Sequence, residues 1–177
     1  MRPDRVDWKA NVREKPVIGN NVYVSPAARL VGRIRVGEFS SIWPHVSARG
    51  DVNHIEIGKR TNVQDNTALH VTIDTHPLVI GDDVTIGHGC VLHGCTIKDR
   101  CLIGMGSVVL DGAVVGPDAM VGAGSVVKQG DVIPPGTLYL GVPARHRRDL
   151  TRQEIESILE SAKTYCEYSQ EYLKLSL

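Results

Sequence analysis

Aromatic side chains are nearly missing from this chain. Its 177 residues include one Phe, two Trp and five Tyr, against 18 Gly and 49 Val, Ile or Leu. Ordinary sandwiches and barrels fill their cores partly with rings, so a core of aliphatics alone argues against both. Net charge is missing too. Twenty Lys and Arg balance twenty Asp and Glu, which leaves no electrostatic footprint for nucleic acid or an anionic membrane. No apolar run approaches the roughly 20 residues of a membrane span. The N-terminal stretch MRPDRVDWKANVREKP has no apolar segment and does not read as a secretory signal. Cys90, Cys95, Cys101 and Cys166 form neither a CxxC pair nor a disulfide framework. They read as small, buried, reduced side chains of a cytoplasmic protein.

What is present is a repeat. An aliphatic residue recurs every six positions at Ile18, Val24, Leu30, Val36 and Ile42, then Ala48. The register resumes at Ile57, Val63 and Leu69, again at Ile80, Ile86 and Leu92, and after one five-residue step runs from Ile97 to Val127. The second position is often Gly, as at Gly37, Gly58, Gly87 and Gly104, and the fifth is small or aliphatic. A helical period of 3.6 cannot sustain this spacing, but short strands joined by tight corners can. The spacing predicts an all-β fold, a parallel β-helix of triangular cross-section with one hexad per face. Eighteen hexads give six coils about 4.8 Å apart. The interior then receives one aliphatic residue per face, which accounts for the missing rings.

A different pattern begins at Thr151. Thr151 with Glu154 forms a capping box, and Ile155, Ile158, Leu159, Ala162, Tyr165 and Cys166 make an apolar stripe. We therefore divide the chain into a β-helix with an N-terminal extension, residues 1–150, and a C-terminal amphipathic helix, 151–177, packing along it. The helix is entered through the Pro-rich stretch from Pro134 to Pro143.

The hexad register turns spacing into geometry. Let Leu69 open face A, Ile80 face B and Ile86 face C, so that Leu92 opens face A one coil higher. His70 and His93 then hold the same position in adjacent coils, about one strand spacing apart. Two imidazoles so placed suit a shared Zn²⁺. His88 lies on face C, around a corner, and five intervening steps span up to ~17 Å. A third ligand would come from a neighbouring chain, and the threefold prism suggests a homotrimer. In the same register Arg49 lies one coil below His70, and Asp65 one coil below His88 with Gln64 beside it. Arg49 and Asp51 read equally as an ion pair holding the loop from Gly50 to Glu56 or the subunit contact, and as catalytic residues. His45, His54, His76 and His146 show no such convergence and read as structural or exposed.

At these residues a resemblance appears. The segments ARGDVNHIEIG (48–58), TNVQDNTALH (61–70), IGHGCVLHGCTI (86–97) and IGMGSVV (103–109) resemble the gamma-class carbonic anhydrase family, as does LYLGVPAR (138–145) its bacterial hexapeptide-repeat members. The likeness spans residues from about 15 to 150. It implies left-handed winding, against the usual crossover rule. It also implies metal sites at trimer interfaces, with His70 and His93 from one subunit and His88 from the next. The metal implied is Zn²⁺, with Fe²⁺ or Co²⁺ as native or substitute ion. The resemblance makes Arg49 and Asp51 an intersubunit ion pair and lets Gln64 orient the attacking water. It places Asp65 in the adjacent hydrogen-bond network and Asn62 and Tyr139 near the substrate pocket.

The implied reaction is reversible hydration of CO₂ to bicarbonate, and the neutral charge balance suits a small uncharged substrate. Well-studied members carry two glutamates for proton transfer. Here Val52 follows Asp51, the loop after the first ligand is the short VTIDTHPLV (71–79), and Gly141 stands where the family has asparagine. Asp74 and His76 are the candidate substitutes, and a slow enzyme is expected. Two other readings stand beside this one. A hexapeptide acyltransferase or thioesterase acting on acyl-CoA would use one His as general base. A non-catalytic trimeric scaffold would use the metal as a staple between chains.

Overall fold

The computed structural model describes residues 7–175. Residues 1–6 and 176–177 lie outside it, and with them the start of the expected N-terminal extension and of the stretch read for a signal, and the end of the expected helix segment. The described chain is an all-β parallel β-helix followed by one long helix. Seven parallel two- to four-residue strands stack on face C: Tyr23–Val24, Ser41–Ile42, Asn62–Val63, Thr85–Ile86, Leu102–Ile103, Met120–Val121 and Thr137–Leu140. Faces A and B run together in an eleven-stranded sheet, because Arg29–Val36 and Ser47–Ile57 turn the corner without a break.

From Val36 to Val127 the residues predicted to open hexads are buried in the prism, while Ile18 at its lower end is exposed. Ile42, Val63, Ile86, Ile103 and Val121 form the face C column and are essentially without exposed surface. Leu69, Leu92 and Val109 do the same on face A, and Ile80, Ile97 and Val115 on face B. Cys90, Cys95 and Cys101 fill small interior positions as free thiols. Second-position glycines allow coils to touch: a Cβ at Gly104 would come within 2.5 Å of the Ala123 backbone nitrogen, and one at Gly37 within 2.6 Å of the Gly58 carbonyl carbon. The expected six coils become seven turns on face C. The six-residue period continues past Val127 through Ile133 and Tyr139, and a short antiparallel strand, Arg145–Asp149, closes the stack.

The helix spans Arg152–Lys174 and starts at the expected capping box. The Glu154 backbone N–H donates to Thr151 Oγ1 at 3.3 Å, and the Thr151 N–H donates to the Glu154 carboxylate at 2.9 Å. It lies across the lower half of face C. Its buried line is Ile158, Ala162 and Ser169, narrower than the expected stripe. Leu159 is 38% exposed and Cys166 only half-buried, because a flat sheet face accepts one row of a helix rather than a broad arc. The missing aromatics reappear at this seam. Trp43 packs against Tyr23, Tyr165 and Tyr172 at 5.0–5.6 Å between ring centres, and Tyr168 packs against Tyr165. Among the described residues no helix is long and apolar enough to cross a membrane.

Candidate metal centre

The strands Ala68–His70 and Val91–His93 are neighbours in register, with Leu69 beside Leu92 and His70 beside His93. Both leucines point into the prism, so the next residue of each strand points out. The two imidazoles face each other, His70 Nδ1 lying 3.0 Å from His93 Nε2. Their other nitrogens meet carboxylates. His70 Nε2–H donates to Asp51 Oδ1 at 3.2 Å, and His93 Nδ1–H donates to Asp111 Oδ1 at 2.8 Å. Since a carboxylate can only accept, the protons sit on these outer nitrogens. Two lone pairs are left turned toward each other, an arrangement that suits a bound cation and that two neutral rings alone would avoid.

Asp51 is placed by the long strand Ser47–Ile57, in which Ala48 pairs with Leu69. Its carboxylate pairs with Arg49 of the same chain and accepts the Val52 N–H at 2.9 Å. The Asn11 amide donates to the Asp51 carbonyl at 2.8 Å, tying the N-terminal turn to this strand. The electrostatics follow. Burial pushes the His70 pKa below its ordinary value and outweighs the pull of Asp51, which keeps the ring neutral as a metal ligand must be. Burial works against a charged Asp51, but hydrogen bonds from Arg49 and His70 win and hold its carboxyl below the usual range. Arg49 and Asp51 are thus paired within the chain.

His88 stands on the other sheet, in the corner after Thr85–Ile86. Its Nδ1 lies 3.1 Å from Asp65 Oδ2, and the Gly89 N–H donates to the Asp65 carbonyl at 2.8 Å. Val63 pairs with Ile86, so Asp65 sits one coil below, as the hexad register requires. Gln64 is 5% exposed, and its amide N–H donates to Asn62 Oδ1 at 3.0 Å. The Asn62 amide donates to Thr85 Oγ1 at 2.9 Å, and Thr85 meets Ser161 of the helix at 3.3 Å. The Gln64 nitrogen is committed to this chain, which leaves its oxygen as an acceptor beside a mainly apolar groove of about 480 Å³. Gln64 and His88 line it with Leu102, Met105, Met120 and Tyr165.

Two clusters result. Arg49, Asp51, His70 and His93 gather on face A, while Asn62, Gln64, Asp65 and His88 gather on face C. Tyr139 joins neither: it lies three strands above Ile86 on face C, its ring 5.7 Å from that of His146. Among the described residues no three His, Cys, Asp or Glu side chains of one chain converge on a metal position. The residues nevertheless fit a metal by their chemistry. Each of the three histidines has one ring nitrogen against its own carboxylate, the arrangement that orients imidazole ligands. Sequence reasoning missed Asp111 and Thr72. The hexad register places Asp111 directly above Gly94, next to His93, but the apolar Leu110 drew attention instead.

Residues 94–129 match the family described as "Bacterial transferase hexapeptide (six repeats)". A protein of Methanocaldococcus jannaschii named "Probable carbonic anhydrase" is 50% identical over 154 residues, covering 87% of this chain and 96% of the relative. The "Carbonic anhydrase" of Geobacillus kaustophilus is 44% identical over 160 residues, covering 90% and 87%. A crystal structure from Bacillus cereus, of a protein provisionally named an acetyltransferase, superposes with a TM-score of 0.90 at 44% identity, covering 92% and 94%.

Proposed function

The chain belongs to the gamma-class carbonic anhydrase family of hexapeptide-repeat proteins, and from that premise we propose that it hydrates CO₂ reversibly to bicarbonate at a metal ion shared between two copies of the chain. The observation that carries the proposal is the triple pairing of His70 with Asp51, His88 with Asp65 and His93 with Asp111, divided two and one between faces A and C. Three imidazoles leave a tetrahedral ion one open position, the donor set of a catalytic site. A homotrimer supplies the missing third ligand to each pair, and Zn²⁺ fits three neutral nitrogens, with Fe²⁺ or Co²⁺ as alternatives. We place the protein in the cytoplasm on its reduced cysteines.

When bound, the metal would supply the Lewis acidity that brings the pKa of water down toward neutrality. The chain's own residues do the rest. Asp51 and Asp111 keep protons on the outer nitrogens of His70 and His93, so that the inner nitrogens remain donors. Gln64 is fixed through Asn62 and Thr85, and it accepts a hydrogen bond from the attacking water, orienting its lone pair toward CO₂. Leu102, Met105 and Met120 provide an apolar wall for an uncharged substrate. Proton release is the step with least support from the chain, because among the described residues the three histidines pair with aspartates and with no glutamate. A slow enzyme follows.

A second reading, acyl transfer from an acyl-CoA, is favoured by the groove of about 480 Å³ beside His88, more room than CO₂ needs. It leaves two carboxylate-anchored histidines without a task. Metal analysis and a CO₂ hydration assay on one preparation separate the readings. Hydration by the metal-loaded protein well above that of His88→Ala supports ours. Equal rates overturn it, and protection from thermal unfolding by CoA would then favour acyl transfer.

A further inference from the structure

We propose that Asp111, held by Thr72 of the short 71–79 loop, is a positioning residue that fixes the ring tautomer of His93 and with it the direction of a metal-binding lone pair. The inference rests on the reading of His93 as a ligand.

One oxygen does the work. Asp111 Oδ1 accepts from His93 Nδ1–H at 2.8 Å and from Thr72 Oγ1–H at 2.8 Å. The corner is shaped for it: a Cβ on Gly94 would overlap Asp111 Oδ1 and press on the His76 Cβ. A carboxylate oxygen in this position accepts both hydrogen bonds. The loop is folded back on itself. The Thr72 N–H donates to the His76 carbonyl at 2.9 Å, and the His76 N–H donates to the Thr72 carbonyl at 3.4 Å. This small turn delivers the Thr72 hydroxyl to Asp111.

A neutral imidazole carries one proton and one lone pair, and either nitrogen can hold the proton. With the proton tied to Nδ1 by Asp111, the lone pair stays on Nε2, the atom that faces His70. Asp51 does the corresponding task for His70, but Asp51 is shared with Arg49, whereas among the described residues the Asp111 carboxylate is bonded to His93 and Thr72. The short loop thus has a function that does not depend on proton transfer.

The test uses the full-length, metal-free protein with ¹⁵N-labelled histidine at pH 8, together with Zn²⁺ affinity measured by competition with a chromophoric chelator. In the wild type His93 should appear as the Nδ1–H tautomer. Asp111→Ala should shift it toward Nε2–H and weaken Zn²⁺ binding about 10- to 100-fold. Asp111→Asn, whose carboxamide oxygen still accepts, should retain the tautomer and most of the affinity. Thr72→Val, which leaves the carboxylate in place, should weaken binding by a smaller factor. An unchanged tautomer in Asp111→Ala, or affinity within twofold of wild type in both Asp111→Ala and Thr72→Val, overturns the proposal. Because the tautomer is read without metal or substrate, a protein that fails to hydrate CO₂ would leave this result standing.

Discussion

His70 and His93 occupy one register position in adjacent coils, and their facing nitrogens are 3.0 Å apart. The relationship is set by the prism and not by the histidines. Leu69 and Leu92 are locked inside, so the next residue on each strand has no choice but to stand beside its neighbour. A substitution at either ring should therefore spare the fold. We predict that His93→Ala keeps its far-ultraviolet circular dichroism and its thermal midpoint within a few degrees, yet retains no stoichiometric metal after dialysis. Elemental analysis checks this, and full metal retention would exclude His93 as a ligand.

Gln64 is oriented by Asn62, and its task is directional. Gln64→Ala should lower kcat for CO₂ hydration about tenfold, equivalent to ~1.4 kcal/mol of barrier, with metal content unchanged. Asn62→Ala should act in the same direction by freeing the Gln64 amide. Stopped-flow hydration on metal-quantified samples gives the answer. An undiminished rate in Gln64→Ala would remove Gln64 from the mechanism.

Acid should loosen the molecule in a defined order. Arg148, with help from the Thr151 backbone, pulls the Glu154 pKa from 4.5 to about 2. Asp51 and Asp111 are also held below their ordinary value of 3.8. A carboxylate with a depressed folded pKa gives stability that is complete above its unfolded pKa and disappears as pH falls through the folded one. The thermal midpoint should therefore drop between about pH 4.5 and 2. Glu154→Gln should flatten part of that drop and leave behaviour above pH 5 nearly unaltered. Differential scanning calorimetry across this range tests it, and an identical acid profile would show that the helix cap carries no linked proton.

Burial raises the thiol pKa values of Cys95 and Cys101 to about 12 and pushes Cys90 upward as well. Cys166 is half-buried on the helix, where burial also raises its pKa and its Sγ–H donates to the Phe39 carbonyl at 3.2 Å. Under native conditions iodoacetamide at pH 8 should label Cys166 slowly and the other three not at all, and unfolding in guanidinium should expose all four. Mass spectrometry of the alkylated protein reads the pattern directly. Native labelling of Cys95 or Cys101 would mean that the prism opens.

Much of this was legible because the repeat is rigid. Once Leu69, Ile80 and Ile86 were assigned to faces, the positions of Arg49, Asp65, His70, His88 and His93 followed by counting. Counting gives a residue's place in its column, not where its side chain reaches at a corner or an insertion. Asp111 stands in a corner and reaches sideways to His93 and Thr72, so its contact depends on a loop whose path has no period. The helix failed in a similar way: amphipathicity predicted a broad stripe, while the flat face below it accepts only the row through Ile158, Ala162 and Ser169. The aromatic deficit told the truth about the prism but not about the seam, where Trp43 packs against Tyr23, Tyr165 and Tyr172, and Tyr168 against Tyr165. The Arg49–Asp51 pair, legible in the sequence as an ion pair, also steadies His70.

The central claim is that no single chain holds a complete site, and mixing defective chains tests it most directly. His88→Ala and His93→Ala proteins, each inactive alone, are unfolded together and refolded in equal amounts with Zn²⁺. Random assembly into trimers leaves about one interface in four with His70 and His93 from one subunit and His88 from its neighbour. The mixture should recover about a quarter of the wild-type zinc content and a corresponding share of CO₂ hydration. Zinc and activity no higher than in the separate variants would contradict the shared site.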